Sequence, residues 1–174
     1  EDIPVLLSVG KDNVNIWEKG ETRLNENEAA EILREMCQGE YMHPTSVKEG
    51  KIELVADIDG LLKVDSDKMK KINGMGELMI ASRHGNFAVK KGDKLAGTRI
   101  IPLVIEREKM EQAKAVCEGE PILELKPFVH KKVGIVTTGN EVYYHRIEDT
   151  FTPVIKEKLA EYDTEVIGQE ICND

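Results

Sequence analysis

Hydrophobic positions along this chain switch between two periods. Ala29, Ile32, Leu33 and Met36 recur at three- and four-residue intervals, the spacing of one helix face. Asn25 stands where an N-cap belongs, and Glu28 three residues later completes a capping box. Gly39 follows the last turn and predicts the helix stop. From Lys51 the period shortens to two. Ile52, Leu54 and Ala56 alternate with Glu53 and Val55, and the Asp59-Gly60 turn before Leu61-Leu62-Lys63-Val64 predicts a hairpin. A short helix is expected near 67–72, ended by Asn73-Gly74, with strands at 77–81 and 86–89. The run 97–104 reads as a strand that Pro102 places near an edge or at a bulge. A helix is then expected over 106–117, with Met110, Ala113 and Cys117 on one stripe. Towards the start, 3–7 predicts a short helix or turn, and the alternating Val14-Asn15-Ile16-Trp17 predicts a strand.

Gly119 and Pro121 end that last helix, 122–125 reads as a short strand, and Pro127 closes it. The pattern then changes. Strand 132–137, helix about 150–161 and strand about 165–171 predict a βαβ unit, with Phe151, Val154, Ile155 and Leu159 as the buried face of the helix. Pro153 sits in the first turn, where a missing N–H does no harm. The expected fold class is an α+β N-terminal domain, 1–127, followed by the start of an α/β unit with a parallel sheet, 128–174. A single βαβ unit cannot bury both faces of a parallel sheet. It calls for later strands in an intact protein, or for packing on the first domain or on a second copy. The chain begins at Glu1 rather than Met and ends at Asp174 just after a strand-like run, so both ends read as cut.

Composition narrows the function classes. The net charge is −9 and no cluster of Lys and Arg stands out, so nucleic acid is not an expected partner. Lys68, Lys70 and Lys71 read as a solvated helix face, as do Glu26, Glu28, Glu31 and Glu35. No apolar run approaches the roughly 18 residues of a membrane span, and no secretory signal opens the chain. Cys37, Cys117 and Cys172 are too far apart for a metal motif. They read as reduced thiols in a cytoplasmic protein, with Cys37 and Cys117 packed in the core. Arg99 inside an apolar strand is less ordinary; it reads as reaching a carboxylate, a ligand phosphate or an edge partner. Arg83-His84-Gly85-Asn86 reads as a polar loop.

The candidate chemistry lies after the strand at 132–137. Thr137, Thr138, Gly139, Asn140 and Glu141 form a polar turn at a strand's carboxyl end, where α/β folds hold ligands. Gly139 permits a positive φ or close approach of a ligand to the backbone. The Thr hydroxyls and the Asn140 amide can donate to heteroatoms or phosphate oxygens. Glu141 offers a hard oxygen suited to Mg²⁺. Asp149 is placed to cap the next helix and to add a second carboxylate. A plain strand-to-loop turn, with Asp149 only as a cap, accounts for the same letters.

Thr138-Gly139-Asn140-Glu141-Val142, then Arg146-Ile147-Glu148-Asp149, then the helix to Leu159, resemble the signature of the molybdopterin cofactor-biosynthesis domain family. Asp2-Ile3-Pro4-Val5-Leu6-Leu7, Asn25-Glu26-Asn27-Glu28-Ala29-Ala30 and Gly97-Thr98-Arg99-Ile100-Ile101-Pro102-Leu103 are similar to the segment preceding it in a MoeA-like subgroup. The resemblance implies molybdopterin or a related precursor as a small-molecule pterin ligand. It also implies a site lined by Thr138, Gly139, Asn140, Glu141 and Asp149, Mg²⁺ held by Glu141, and a homo-oligomer. The chain departs from the family pattern at two positions. His145 replaces the usual Gly, and Asn140 replaces a frequent acidic residue. The family's later Gly-Gly-Thr/Ser-Gly loop has no counterpart before Asp174. Three readings follow: a cofactor-biosynthesis or handling protein, a non-enzymatic sensor or carrier, and a scaffold or dimerisation unit without ligand.

Overall fold

The computed structural model describes residues 3–8 and 22–174; the strand expected at 14–17 and Trp17 lie outside them. In chain order the elements are α1 (Ile3–Ser8), β1 (Arg23–Asn25), α2 (Glu26–Cys37), β2 (Met42–Pro44), β3 (Lys51–Ala56), β4 (Gly60–Val64), α3 (Ser66–Asn73), β5 (Leu78–Ser82) and β6 (Phe87–Val89). Then come β7 (Lys94–Ile100), β8 (Val104–Glu106), α4 (Arg107–Cys117), β9 (Leu123–Pro127), β10 (Lys131–Thr138), α5 (Asn140–Tyr143), α6 (Phe151–Ala160) and β11 (Thr164–Cys172). The chain is mixed α and β. Three sheets are antiparallel, ordered β1-β8, β2-β3-β7-β5 and β6-β4-β9, and β10 pairs with β11 in parallel. Among the described residues no helix is long and apolar enough to cross a membrane.

Helix α2 forms where its apolar stripe and caps require. Asn25 Oδ1 accepts the Asn27 and Glu28 amides, and Glu28 reaches back to the Asn25 amide. Ala29, Ala30, Leu33, Met36 and Cys37 are buried, and the helix packs on β3 and β7. The stripe of α4, Met110, Ala113 and Cys117, is buried as well, and α4 lies against α2 and α3. Burial pushes the Cys37 thiol up to about 12, and neighbouring Cys117 adds to the shift, so both cysteines act as packed apolar groups. One apolar core runs from Leu24 to Leu125, with Leu33, Ile52, Leu54, Leu62, Leu95 and Met110 fully buried.

The structure corrects three sequence expectations in this region. β3 and β4 do not form a hairpin: β3 pairs with β2 and β7, whereas β4 pairs with β6 and β9. Alternation fixes which face a strand buries, not which strand it joins. The strand expected over 97–104 is two strands, β7 and β8, separated at Pro102. β7 is central, between β3 and β5, and a residue without an N–H cannot continue it. Gly39 is not a left-handed helix stop, because the helix ends on Gln38 in extended conformation. A Cβ at Gly39 would stand 2.4 Å from the Leu123 carbonyl oxygen, so the glycine is there for close approach of β9.

Beyond Pro127 the packing thins. β10 and β11 run parallel from Lys131↔Thr164 to Thr138↔Cys172, with a register shift after Val133, and α6 connects them. The rings of Phe128 and Tyr162 meet edge to face, centroids 5.2 Å apart. The expected apolar face of α6 is not buried: Phe151 is 73% exposed, Val154 and Ile155 are exposed, and Leu159 is half-buried. On the sheet, Val136 and Ile167 are exposed in the same way. Two strands present too little surface to cover an amphipathic helix, and the one fully enclosed residue of α6 is the polar Thr152.

Candidate functional site

The turn after β10 is built on Gly139. Its N–H donates to the Cys172 carbonyl at 3.2 Å, carrying the β10–β11 pairing one residue past the last strand pair. Its φ of 141° and ψ of 125° lie where a side chain is strained, so glycine is required for shape. The chain then winds into α5, a single helical turn where the sequence predicts a loop. The Tyr143 amide donates to the Gly139 carbonyl, and the Arg146 and Ile147 amides both donate to the Glu141 carbonyl, at 2.8 and 3.2 Å. His145 closes this turn in the left-handed region at φ 56°.

The five predicted site residues fall into two groups. Thr138, Gly139, Asn140 and Glu141 are consecutive around the turn. The Thr138 hydroxyl, the Asn140 amide and the Glu141 carboxylate have no hydrogen-bond or ion-pair partner among the described residues. Thr138 and Glu141 are exposed and Asn140 is half-buried. Asp149 stands apart from them in role. Its Oδ1 accepts the Phe151 and Thr152 amides at 3.0 and 3.1 Å, which caps α6. Its Oδ2 accepts the Thr152 hydroxyl at 2.5 Å, the Gln169 amide at 2.8 Å and the Thr137 hydroxyl at 3.3 Å. The Thr152 hydroxyl, then the backbone amides, hold the Asp149 carboxyl below its ordinary value of 3.8.

Asp149 is therefore a saturated carboxylate that ties three elements together: the end of β10 through Thr137, the start of α6 through Thr152, and β11 through Gln169. Thr152 and Gln169 escape the sequence reading. The available signal is an Asp three residues before a Thr at a helix start; Gln169, in a strand that also carries Glu165 and Glu170, gives none.

An open hollow of about 410 Å³ lies beside the turn, lined by Val142, His145, Arg146, Ile147, Glu148, Asp149 and Ile171. Of the predicted residues only Asp149 lines it. The Arg146 guanidinium lies 5.5 Å from the centre of the Tyr144 ring and has no carboxylate partner among the described residues. Among the described residues no group of three or more His, Cys, Asp or Glu side chains is arranged to hold a metal ion. Comparison with protein-family models, curated proteins and solved structures finds no match. The functional reading therefore rests on the turn itself and on the motif it carries.

Proposed function

We propose that residues 128–174 are the first βαβ unit of a molybdopterin-binding domain with a parallel sheet, following an α+β domain at 1–127. The protein binds molybdopterin or a related precursor in cofactor biosynthesis or handling, in the cytoplasm. The observation that carries this reading is the turn at Gly139: three polar side chains without a partner among the described residues, grouped around a glycine-only bend at the carboxyl end of a parallel strand. That is where parallel sheets hold ligands. The family's usual glycine before Arg146 is replaced by His145, and His145 takes the positive φ that glycine would take freely. A positive φ at this position is the conformation a glycine there would adopt without strain, which supports the reading.

In this reading the Thr138 hydroxyl and the Asn140 amide donate to pterin heteroatoms or phosphate oxygens, while Gly139 lets the ligand lie against the main chain. Glu141 supplies one carboxylate to Mg²⁺, an ion that keeps waters and shares ligand phosphates. Mg²⁺, when bound, screens phosphate charge. Asp149 does not share the ion, because both its oxygens are engaged by five donors; it positions the turn. Titration of the protein with molybdopterin, with and without Mg²⁺, should show a Mg²⁺-dependent affinity that Glu141→Ala weakens. Superimposable curves for the two proteins would sink the assignment.

The saturation of Asp149 favours one variant of the proposal, a carrier or sensor that binds without chemistry. Among the described residues Glu141 is the one unengaged carboxylate of the turn itself, since Asn140 stands at the other frequent acidic position there. Assays for adenylyl and molybdate transfer separate carrier from enzyme. The bare faces around Val136, Phe151 and Ile167 favour self-association through this unit, which light scattering on the eluted protein reads directly.

A further inference from the structure

The four-stranded sheet carries a second polar hollow, of about 380 Å³, that shares no lining residue with the Gly139 turn. Arg99 of central strand β7 projects on the exposed side of this sheet and pairs in register with Lys51 of β3 on one side and Met79 of β5 on the other. Directly opposed residues on antiparallel strands bring their side chains together, and like charges there are destabilising. Lys51 is neutralised: Glu53 accepts its ammonium at 2.8 Å and that of Lys94 at 2.7 Å. Those two lysines hold the Glu53 carboxyl down to about 2, so it stays charged and committed to them. Arg99 has no such counterpart. Among the described residues it makes no hydrogen bond and no ion pair.

The neighbouring wall is rich in free donors. The hairpin after β2 turns at Glu49-Gly50, both at positive φ, and closes with paired bonds between Lys48 and Lys51. Lys48 of this turn lines the hollow, and its ammonium too has no partner among the described residues. Thr45 Oγ1 accepts the Glu53 amide at 3.0 Å, which leaves its own proton free to donate, and the Ser46 hydroxyl is unengaged among the described residues. Among the described residues Glu49 is the one carboxylate of the wall that no cation holds, and it sits exposed at the tip of the turn.

We propose that this hollow binds a phosphate dianion, either inorganic phosphate or the phosphate of a small monoester, between the Arg99 fork and the Lys48 ammonium, with the Thr45 and Ser46 hydroxyls completing the shell. A tetrahedral dianion matches two free cations and two hydroxyl donors, whereas a carboxylate leaves half of them idle. Arg is the side chain suited to bidentate contact with such an oxyanion. The anion also relieves the uncompensated charge beside Lys51. No residue of the Gly139 turn takes part, so this site stands or falls independently of the cofactor reading.

Inorganic phosphate, glycerol 2-phosphate and acetate are titrated against the protein at low salt, following amide shifts of residues 45–53 and 99 by NMR. The expected result is saturable shifts with phosphate at least about tenfold tighter than acetate, weakened about tenfold or more in Arg99→Gln and several-fold in Lys48→Gln. Both residues are exposed, and an unchanged melting curve verifies that each variant folds. Binding of inorganic phosphate alone assigns the free ion; binding of both phosphates assigns the group wherever it is carried. Equal response to acetate, or wild-type affinity in Arg99→Gln, overturns the proposal.

Discussion

Replacing Thr152 with Val removes one hydroxyl from the only tightly enclosed position of α6 and should loosen the whole 128–174 segment. Thr152 is 3% exposed, and its hydroxyl has one proton, donated to Asp149 at 2.5 Å. The same oxygen accepts the Gln169 amide at 2.9 Å and lies 3.2 Å from Thr137 Oγ1. A hydrogen bond from this hydroxyl to a charged acceptor contributes about 1.5–3 kcal/mol. The added methyl returns up to about 0.8 kcal/mol if it packs. Gln169 keeps its bond to Asp149, so no buried donor is orphaned. The net loss is about 1–2 kcal/mol, which is roughly a tenfold change in an opening equilibrium. Native-state hydrogen exchange reads it residue by residue. Amides of β10, β11 and Gly139 should exchange about tenfold faster. Those of β3 and β7 should not change, because the apolar cluster from Leu24 to Leu125 contains no member of this network. A uniform rise over both regions, or none in β10 and β11, refutes the reasoning. Acid provides a companion test. The Asp149 carboxyl is depressed in the folded state, so its contribution is complete above the ordinary value of 3.8. It is lost as pH falls through the folded value. Protection of the same amides should fade in that window in the wild type and change less in Thr152→Val.

Leu33→Ala, at a fully buried position of α2, should cost about 2–5 kcal/mol and lower the urea midpoint with the slope unchanged; a loss under about 1 kcal/mol would mean the site collapses or was never filled. Gly139→Ala should cost about 1–3 kcal/mol through backbone strain at φ 141°. Crowding is not the cause, since a Cβ there meets nothing nearer than Glu141 Oε2 at 3.5 Å. The variant's urea midpoint checks the cost, and wild-type stability would show the bend to be undemanding. The His130 ring is raised above its ordinary 6.5, first by its hydrogen bond to Asp163, so its contribution is complete below 6.5 and fades as pH rises through the folded value. Thermal unfolding at low salt should favour about pH 5.5 over about pH 8.5 by a margin that His130→Gln abolishes.

Local signals were the legible part of the fold. The capping box at Asn25, the stripes of α2 and α4 and the order strand–helix–strand after Lys131 follow from spacing alone, because each depends on residues a few positions apart. Partner choice was not legible. β3 and β4 look like a hairpin because Asp59-Gly60 is good turn chemistry, yet Gly60 pairs with Val89 and Pro127, far along the chain. Burial of α6 was misjudged for a related reason: periodicity marks which face is apolar, and says nothing about whether anything stands opposite. In the candidate site, Gly139 and its polar neighbours were readable from residue type. The capture of Asp149 by Thr137, Thr152 and Gln169 was not, since it joins three elements that only the folded chain brings together.

The separation of β3 from β4 has a consequence for biosynthesis. β4 is flanked in the finished sheet by β6 and β9, and β9 ends only at Pro127. A nascent chain that has released Leu62 must keep this largely apolar strand, Gly60–Val64 with Lys63 its one charged residue, waiting without its second partner until residues 123–127 leave the ribosome. At about 5–20 residues per second that delay is on the order of several seconds. Throughout it, Leu62 is exposed bait for holdase chaperones and for neighbouring nascent chains on the same polysome, and expression yield should follow chaperone supply more closely than the final stability does.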